Sequence, residues 1–228
     1  MLYFLIWLTL ICGASASIYG LIFWVHLVKK NYLVIDLEAT CDQPQLPNEK
    51  IEIIEIGAAF VNSRFEVVST YEGFVKPVVF QTLTPFCTQL TTITQDQVDS
   101  APEFVEACVL FDAWVSDCVK SFGEVEFWGS WGQYDYAQFI RNAELLKVDI
   151  PKFMSIEHRN LKQVYGKSVG LKRGPGLKKT LGYEKMSFEG TQHRALADVL
   201  NIVRVLPVAV GSEPVSYTHL TLPTSDLV

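Results

Sequence analysis

Five side chains stand out by type and spacing: Asp36 and Glu38 in Tyr32-Leu-Val-Ile-Asp-Leu-Glu-Ala-Thr-Cys41, Asp135 in Trp131-Gly-Gln-Tyr-Asp-Tyr136, and His193 with Asp198 in His193-Arg-Ala-Leu-Ala-Asp198. Tyr32 to Ile35 is a short apolar, partly β-branched run, which predicts the start of a buried strand. Side chains two apart on a strand share a face, so Asp36 and Glu38 project together at its carboxyl end. Two carboxylates side by side repel, and their desolvation is costly unless a cation neutralises them. Oxygen-only clusters of this kind suit Mg²⁺ or Mn²⁺. The chemistry they would serve is metal-dependent phosphodiester hydrolysis. An isolated Asp-x-Glu is more often just a polar strand end. Three segments in this order, each with its own local signature, are far more specific.

The elements that must carry these residues follow from pattern. Thr40 to Lys50 is polar, contains Pro44 and Pro47, and reads as a loop. Ile51–Val61 and Phe65–Phe74 are β-rich runs joined near Asn62-Ser63, an expected antiparallel pair. Leu83–Val98 predicts loop and short helix. A helix is expected from Ala101-Pro102 to about Cys118, with Phe104, Val105, Cys108, Phe111 and Val115 as its apolar face. Glu124–Trp128 predicts a strand, and Gln133–Leu146 a helix with Asp135 in its first turn. Asn160–Tyr165 and Leu177–Leu181 read as short helices around Gly174-Pro-Gly176. A last helix from His193/Arg194 to Val205 would turn Asp198 toward the sheet. Early strands followed by alternating helices and strands predict an α/β fold, a mixed central sheet flanked by helices.

The segments that carry these residues resemble the DEDDh branch of the 3′–5′ exonucleases, the DnaQ-like group with a ribonuclease H-like fold. The resemblance runs from about Asn31 to about Leu206. Leu83-Thr-Pro-Phe-Cys-Thr-Gln-Leu-Thr-Thr-Ile-Thr-Gln-Asp-Gln-Val98 is similar to a hallmark of the subgroup that trims small RNAs and histone-mRNA ends, with its bacterial KapD-like relatives. Two departures are visible. Thr92 stands where that pattern usually has Gly, and Ala197 where an Asp commonly precedes the last catalytic Asp.

The resemblance implies a division of labour. Asp36, Glu38 and Asp198 would hold one divalent cation, while Asp36 bridges to a second that Asp135 reaches partly through water. Two such ions, Mg²⁺ or Mn²⁺, stabilise attacking and leaving oxygens when about 3.5–4 Å apart. His193 would be the general base, a duty that suits imidazole near neutral pH. Phe86 and Tyr134 would sandwich the terminal base; for Phe86 a plain core role is the equal alternative. Of the basic residues between Arg159 and Lys185, Lys178 and Lys179 are the candidates for substrate phosphates. His158 and His26 read as incidental, and Trp128 and Trp131 as packing. The expected reaction is release of nucleoside 5′-monophosphates from single-stranded RNA 3′ ends. The alternatives are a DNA 3′–5′ exonuclease of proofreading or repair type, and a non-catalytic regulatory protein on the same fold.

Composition sets outer bounds. At 228 residues and 49% hydrophobic, the chain can bury one good core. A net charge of −6 is unusual for a nucleic-acid binder, although acids at a metal site account for part of it. Five cysteines without C-x-x-C spacing argue against a disulfide framework and a zinc site, and Cys41, Cys87 and Cys108 read as structural. Residues 1–28 hold no Asp, Glu, Lys or Arg and match the length of a membrane-crossing helix, with Lys29 and Lys30 following. That segment is read with equal weight as a membrane anchor that leaves the domain in the cytoplasm, or as an upstream extension of a chain starting near Val28. Residues 31–210 are the expected exonuclease domain. Val215-Ser-Tyr-Thr-His-Leu-Thr-Leu-Pro-Thr224 resembles a translated sequencing adapter, so residues 215–228 are expected to be non-native.

Overall fold

The structure, a computed structural model, describes residues 31–211. Both the apolar segment 1–28 and the adapter-like tail 215–228 lie outside the described residues. No helix among the described residues is long and apolar enough to cross a membrane.

Five strands form one sheet: β1 (Asn31–Ala39), β2 (Ile53–Val61), β3 (Val67–Phe74), β4 (Val125–Ser130) and β5 (His158–Asn160), in the order β3-β2-β1-β4-β5. β2 runs antiparallel to β1 and β3, whereas β4 lies parallel to β1 and β5 parallel to β4. This is the mixed sheet that the alternation of elements predicts. The helices are α1 (Pro85–Thr91), α2 (Gln95–Asp99), α3 (Phe104–Phe122), α4 (Tyr134–Leu146), α5 (Leu161–Ser168), α6 (Leu177–Tyr183) and α7 (Ala195–Val210).

The pleat of β1 sorts its side chains. Leu33, Ile35 and Leu37 enter a core shared with Phe104, Phe111, Trp128 and Phe139. Tyr32 and Val34 enter another with Phe127, Leu161, Val199 and Ile202. Asp36 and Glu38 continue that second row past its apolar end, on the side where α7 packs. Each core aliphatic residue contributes about 1.5–3 kcal/mol by leaving water, so the strand that presents the acids is anchored on both faces.

Several expectations shift in detail. Helix α3 starts later and ends later than predicted, and Val105, expected inward, is 51% exposed. The inward stripe is Phe104, Cys108, Phe111 and Val115, and Val105 lies just off it. Strand β5 was not expected at all. Helix α7 begins at Ala195, leaving His193 and Arg194 ahead of it, and it continues through Pro207 to Val210. A proline near a helix end forfeits only a single backbone bond, and the buried Val205, Leu206 and Ala209 hold the last turn down.

Thr92 accounts for one departure from the subgroup pattern. It closes α1 in the left-handed conformation, φ +61°. Glycine adopts that conformation freely and a β-branched residue does not, at a cost on the order of 1–2 kcal/mol.

Candidate active site

Oxygen atoms of Asp36, Glu38 and Asp198 lie within 4.8 Å of one another. Three remote parts of the chain cause this meeting. β1 supplies the first two acids, and the first turn of α7 supplies Asp198. Opposite Asp36 in the β1–β2 register stands Gly57, where a Cβ would fall into the backbone of Ala195 and Leu196. The missing side chain lets α7 start directly on the sheet. Glu55, paired across from Glu38 and fully buried, accepts the Ala195 N–H at 2.9 Å. It also receives Arg194 Nη2 at 2.7 Å and Nε at 3.1 Å, while Nη2 reaches Glu72 at 3.0 Å. Glu55 and Arg194 were not singled out by sequence reasoning. They are 139 residues apart, and no local pattern links them.

Asp135 sits in the first turn of α4 as expected, and is buried. It stands outside the three-carboxylate group. The Leu37 N–H donates to its Oδ1 at 3.2 Å, which ties α4 to the carboxylate-bearing end of β1. His193 is exposed and lies in the turn before α7 with φ +61°. Its N–H donates to Asp198 Oδ2 at 3.0 Å. Left-handed backbone in a non-glycine residue costs about 1–3 kcal/mol, and here it goes with a direct tie between the histidine and an acid of the cluster.

The acids raise one another's affinity for protons. Lost hydration and the charges of Asp135, Asp198, Glu38 and Glu55 push the Asp36 carboxyl well above the ordinary range. The same two causes lift Glu38 to about 8. Burial raises Asp135 to about 6 against the opposing pull of its hydrogen bonds, and burial raises Asp198. All four shifts have one sign: the folded state binds these protons more tightly. Their contribution to stability is complete below about pH 4, the unfolded carboxylate range, and is lost as pH rises through the folded values. His158, lowered to about 4 by burial, acts in the opposite sense below about pH 6.5. Protein kept in a chelator is therefore expected to melt at lower temperature at pH 8.5 than at pH 6.5. Mn²⁺ or Mg²⁺ should restore most of the loss at pH 8.5, by binding only the folded state. Thermal unfolding at the two pH values, with and without the cation, checks this.

Beside the acids lies a cleft of about 520 Å³ whose lining includes Glu38, Cys41, Phe86, Leu90 and Tyr134. Phe86 is partly exposed and absent from the apolar cores, so the core alternative for it falls. Tyr134 is 47% exposed, with the Arg141 guanidinium 5.4 Å from its ring centre. Leu90 was not foreseen; it is one helical turn from Phe86 on α1, a spacing that would have revealed it. Buried Glu52 holds the approach to α1, accepting the N–H groups of Val78, Val79 and Phe80 at 2.7, 2.8 and 2.9 Å.

Lys178 and Lys179 are exposed on α6 and do not line this cleft. Their helix follows Pro175, whose carbonyl accepts Trp131 Nε1 at 3.1 Å. That contact fastens the basic segment to the turn between β4 and α4. Arg159 has a separate role, lying 4.4 Å over the Phe127 ring and pairing with Glu157 at 3.0 Å. Trp128 is fully buried, and Cys87 and Cys108 are packed, as expected. Cys41, Cys87, Cys108 and Cys118 are free thiols. His158, read as incidental, is half-buried, with its ring centre 4.2 Å from that of Trp128 and 5.0 Å from that of Tyr136.

The sequence profile of the exonuclease family, RNase T, matches residues 33–206. Human ERI1 exoribonuclease 3 is 39% identical over 105 residues, 46% of this chain and 31% of that protein. Human 3′–5′ exoribonuclease 1 is 31% identical over 178 residues, 75% of this chain and 50% of that one. The chain thus spans half or less of the length of these two relatives. Among solved structures, the nuclease domain of 3′hExo, a DEDDh family member bound to rAMP, superposes with a TM-score of 0.69 at 28% identity. The match covers 81% of this chain and 92% of that domain.

Proposed function

Because this chain belongs to the exonuclease (RNase T) family, we propose that it shortens single-stranded RNA from the 3′ end, releasing nucleoside 5′-monophosphates by metal-dependent hydrolysis. One observation carries the reading: Glu38, a member of the Asp36–Glu38–Asp198 cluster, also lines the cleft that Phe86 and Tyr134 line. A space large enough for a nucleotide thus adjoins acids of a kind suited to phosphodiester cleavage.

The donor set fits divalent cations, since it is all carboxylate and strained by its own charge. Asp36, Glu38 and Asp198 would hold one ion and Asp135 would take part in holding a second, with Mg²⁺ and Mn²⁺ both suited to oxygen ligands. When bound, the ions supply charge stabilisation for in-line displacement at phosphorus. His193 takes the proton from the attacking water. Its exposed position lets it exchange that proton with solvent afterwards. Phe86 and Tyr134 stack on the terminal base, a contact of about 1–3 kcal/mol that tolerates any sequence, with Leu90 beside Phe86. Lys178 and Lys179 attract the phosphates of the strand further from its end.

RNA is preferred over DNA as the substrate because the relatives named above are exoribonucleases, and because 3′hExo was captured with rAMP. The Leu83–Val98 segment supports a place in the subgroup that trims small RNAs and histone-mRNA ends. The presence of all four acids speaks against a purely regulatory protein. The test is incubation of the purified protein with 5′-labelled RNA and DNA of one sequence. The expected result is an RNA ladder descending one nucleotide at a time, mononucleotide 5′-phosphates as products, and arrest by chelator. Faster loss of the DNA would select the alternative substrate. No shortening of either strand with Mn²⁺ or Mg²⁺ present would overturn the reading.

A further inference from the structure

The Ser130 hydroxyl at the end of β4 has three polar neighbours and one hydrogen to give. His158 Nε2 lies 3.0 Å from it, and the Gly132 carbonyl 3.1 Å. The third neighbour is the Asp135 carboxylate, whose proton affinity the nearby serine hydroxyl lowers. The carbonyl and the ionised carboxylate only accept. If Ser130 gave its hydrogen to His158, both of those oxygens would face its lone pairs unshielded. The arrangement closes only when His158 Nε2 carries a hydrogen and donates it to Ser130, freeing the serine hydrogen for Asp135 and the Gly132 carbonyl.

His158 is fixed for that duty. Its ring centre lies 4.2 Å from that of Trp128 and 5.0 Å from that of Tyr136, the latter in a stacked arrangement. Short strand β5 brings it there, by pairing His158 with Trp128 and Asn160 with Ser130. Burial keeps the ring neutral by lowering its pKa to about 4, so exactly one ring nitrogen carries a hydrogen at working pH.

We propose that His158 is a positioning residue for Asp135, acting through the Ser130 hydroxyl. Leu37 N–H holds Asp135 from β1, and the His158–Ser130 pair holds it from β4. Without the pair, the carboxylate would be fixed from β1 but would lose its hold on β4. The consequence falls on the one acid that stands apart from the Asp36–Glu38–Asp198 group. The inference rests on the exonuclease reading for its kinetic arm, and on the carboxylate site alone for its binding arm.

The experiment compares His158→Phe, His158→Gln and Ser130→Ala in the full chain. Phenylalanine keeps the stacking and removes the donor, whereas glutamine replaces the Nε2–H with an amide N–H. Two quantities are read for each variant: turnover against KM on RNA, and the Mn²⁺ concentration that half-saturates the rise in melting temperature. His158→Phe is expected to raise that concentration by roughly 10–100-fold, the usual effect of losing a partner that orients a metal ligand. Its turnover should fall by a similar factor with KM little changed. His158→Gln should recover most of both losses. Ser130→Ala, which deletes one oxygen and keeps the backbone, should match His158→Phe, and the double variant should lose no more than either. If the Phe and Ser variants bind Mn²⁺ as the wild type does, His158 only packs and the proposal is overturned. Should the wild type show no nuclease activity while the Mn²⁺ shifts follow this pattern, the function fails and the positioning role stands.

Discussion

Asp36→Asn should remove RNA cleavage almost completely, by roughly 10³-fold or more. Loss of a single charge-stabilising group commonly costs about 10²–10³-fold, and Asp36 is the acid expected to serve both cations. The fold should not suffer. Asp36 feels the charges of Asp135, Asp198, Glu38 and Glu55, all of which oppose its ionisation. An amide of the same shape relieves that repulsion. The melting temperature in chelator at pH 8.5 is therefore expected to equal or exceed that of the wild type, while the rise on adding Mn²⁺ shrinks. Full cleavage by a clean Asp36→Asn preparation would exclude the carboxylate mechanism.

His193→Ala should lower turnover by roughly 10²–10⁴-fold, the range for a positioned proton acceptor. The expected loss is in kcat, since the side chain would meet the attacking water and not the bound base. The tie to Asp198 is made by the His193 backbone N–H, at 3.0 Å, and alanine keeps it. Metal-dependent stabilisation should thus persist in the variant. Imidazole added to the buffer should restore part of the rate, because the exposed position leaves room for it. Unchanged turnover would show that the imidazole is not the base.

Much of the candidate site is legible because its signals are local. Asp36 and Glu38 sit two apart after an apolar run, Asp135 opens a clearly amphipathic helix, and Asp198 follows His193 by five residues. Each of these is read from a few neighbouring side chains. The supports were not legible, because they form only when distant segments meet. Arg194, just ahead of α7, is joined to Glu55 on β2, and Ser130 and His158 are 28 residues apart on strands of which one has only three residues. A three-residue strand carries no measurable alternation. Phe86 was ambiguous for a related reason: an aromatic side chain on a short helix shows no sign of whether a core or a cleft faces it. The extent of α7 was misjudged at Pro207, where burial of the last turn outweighs a proline's usual veto.

Gly57 carries no functional group, yet it decides whether the functional groups can meet. The start of α7 rests on the bare backbone at this point, opposite Asp36. With a larger residue there, the helix would have to lift, taking His193 and Asp198 away from the strand that bears Asp36 and Glu38. All five candidate side chains would then be present in the sequence, yet the meeting of Asp36, Glu38 and Asp198 would be lost. For chains of this kind, an inventory of acids and histidine is an incomplete test for a working nuclease. An empty position on the neighbouring strand belongs in the signature as well.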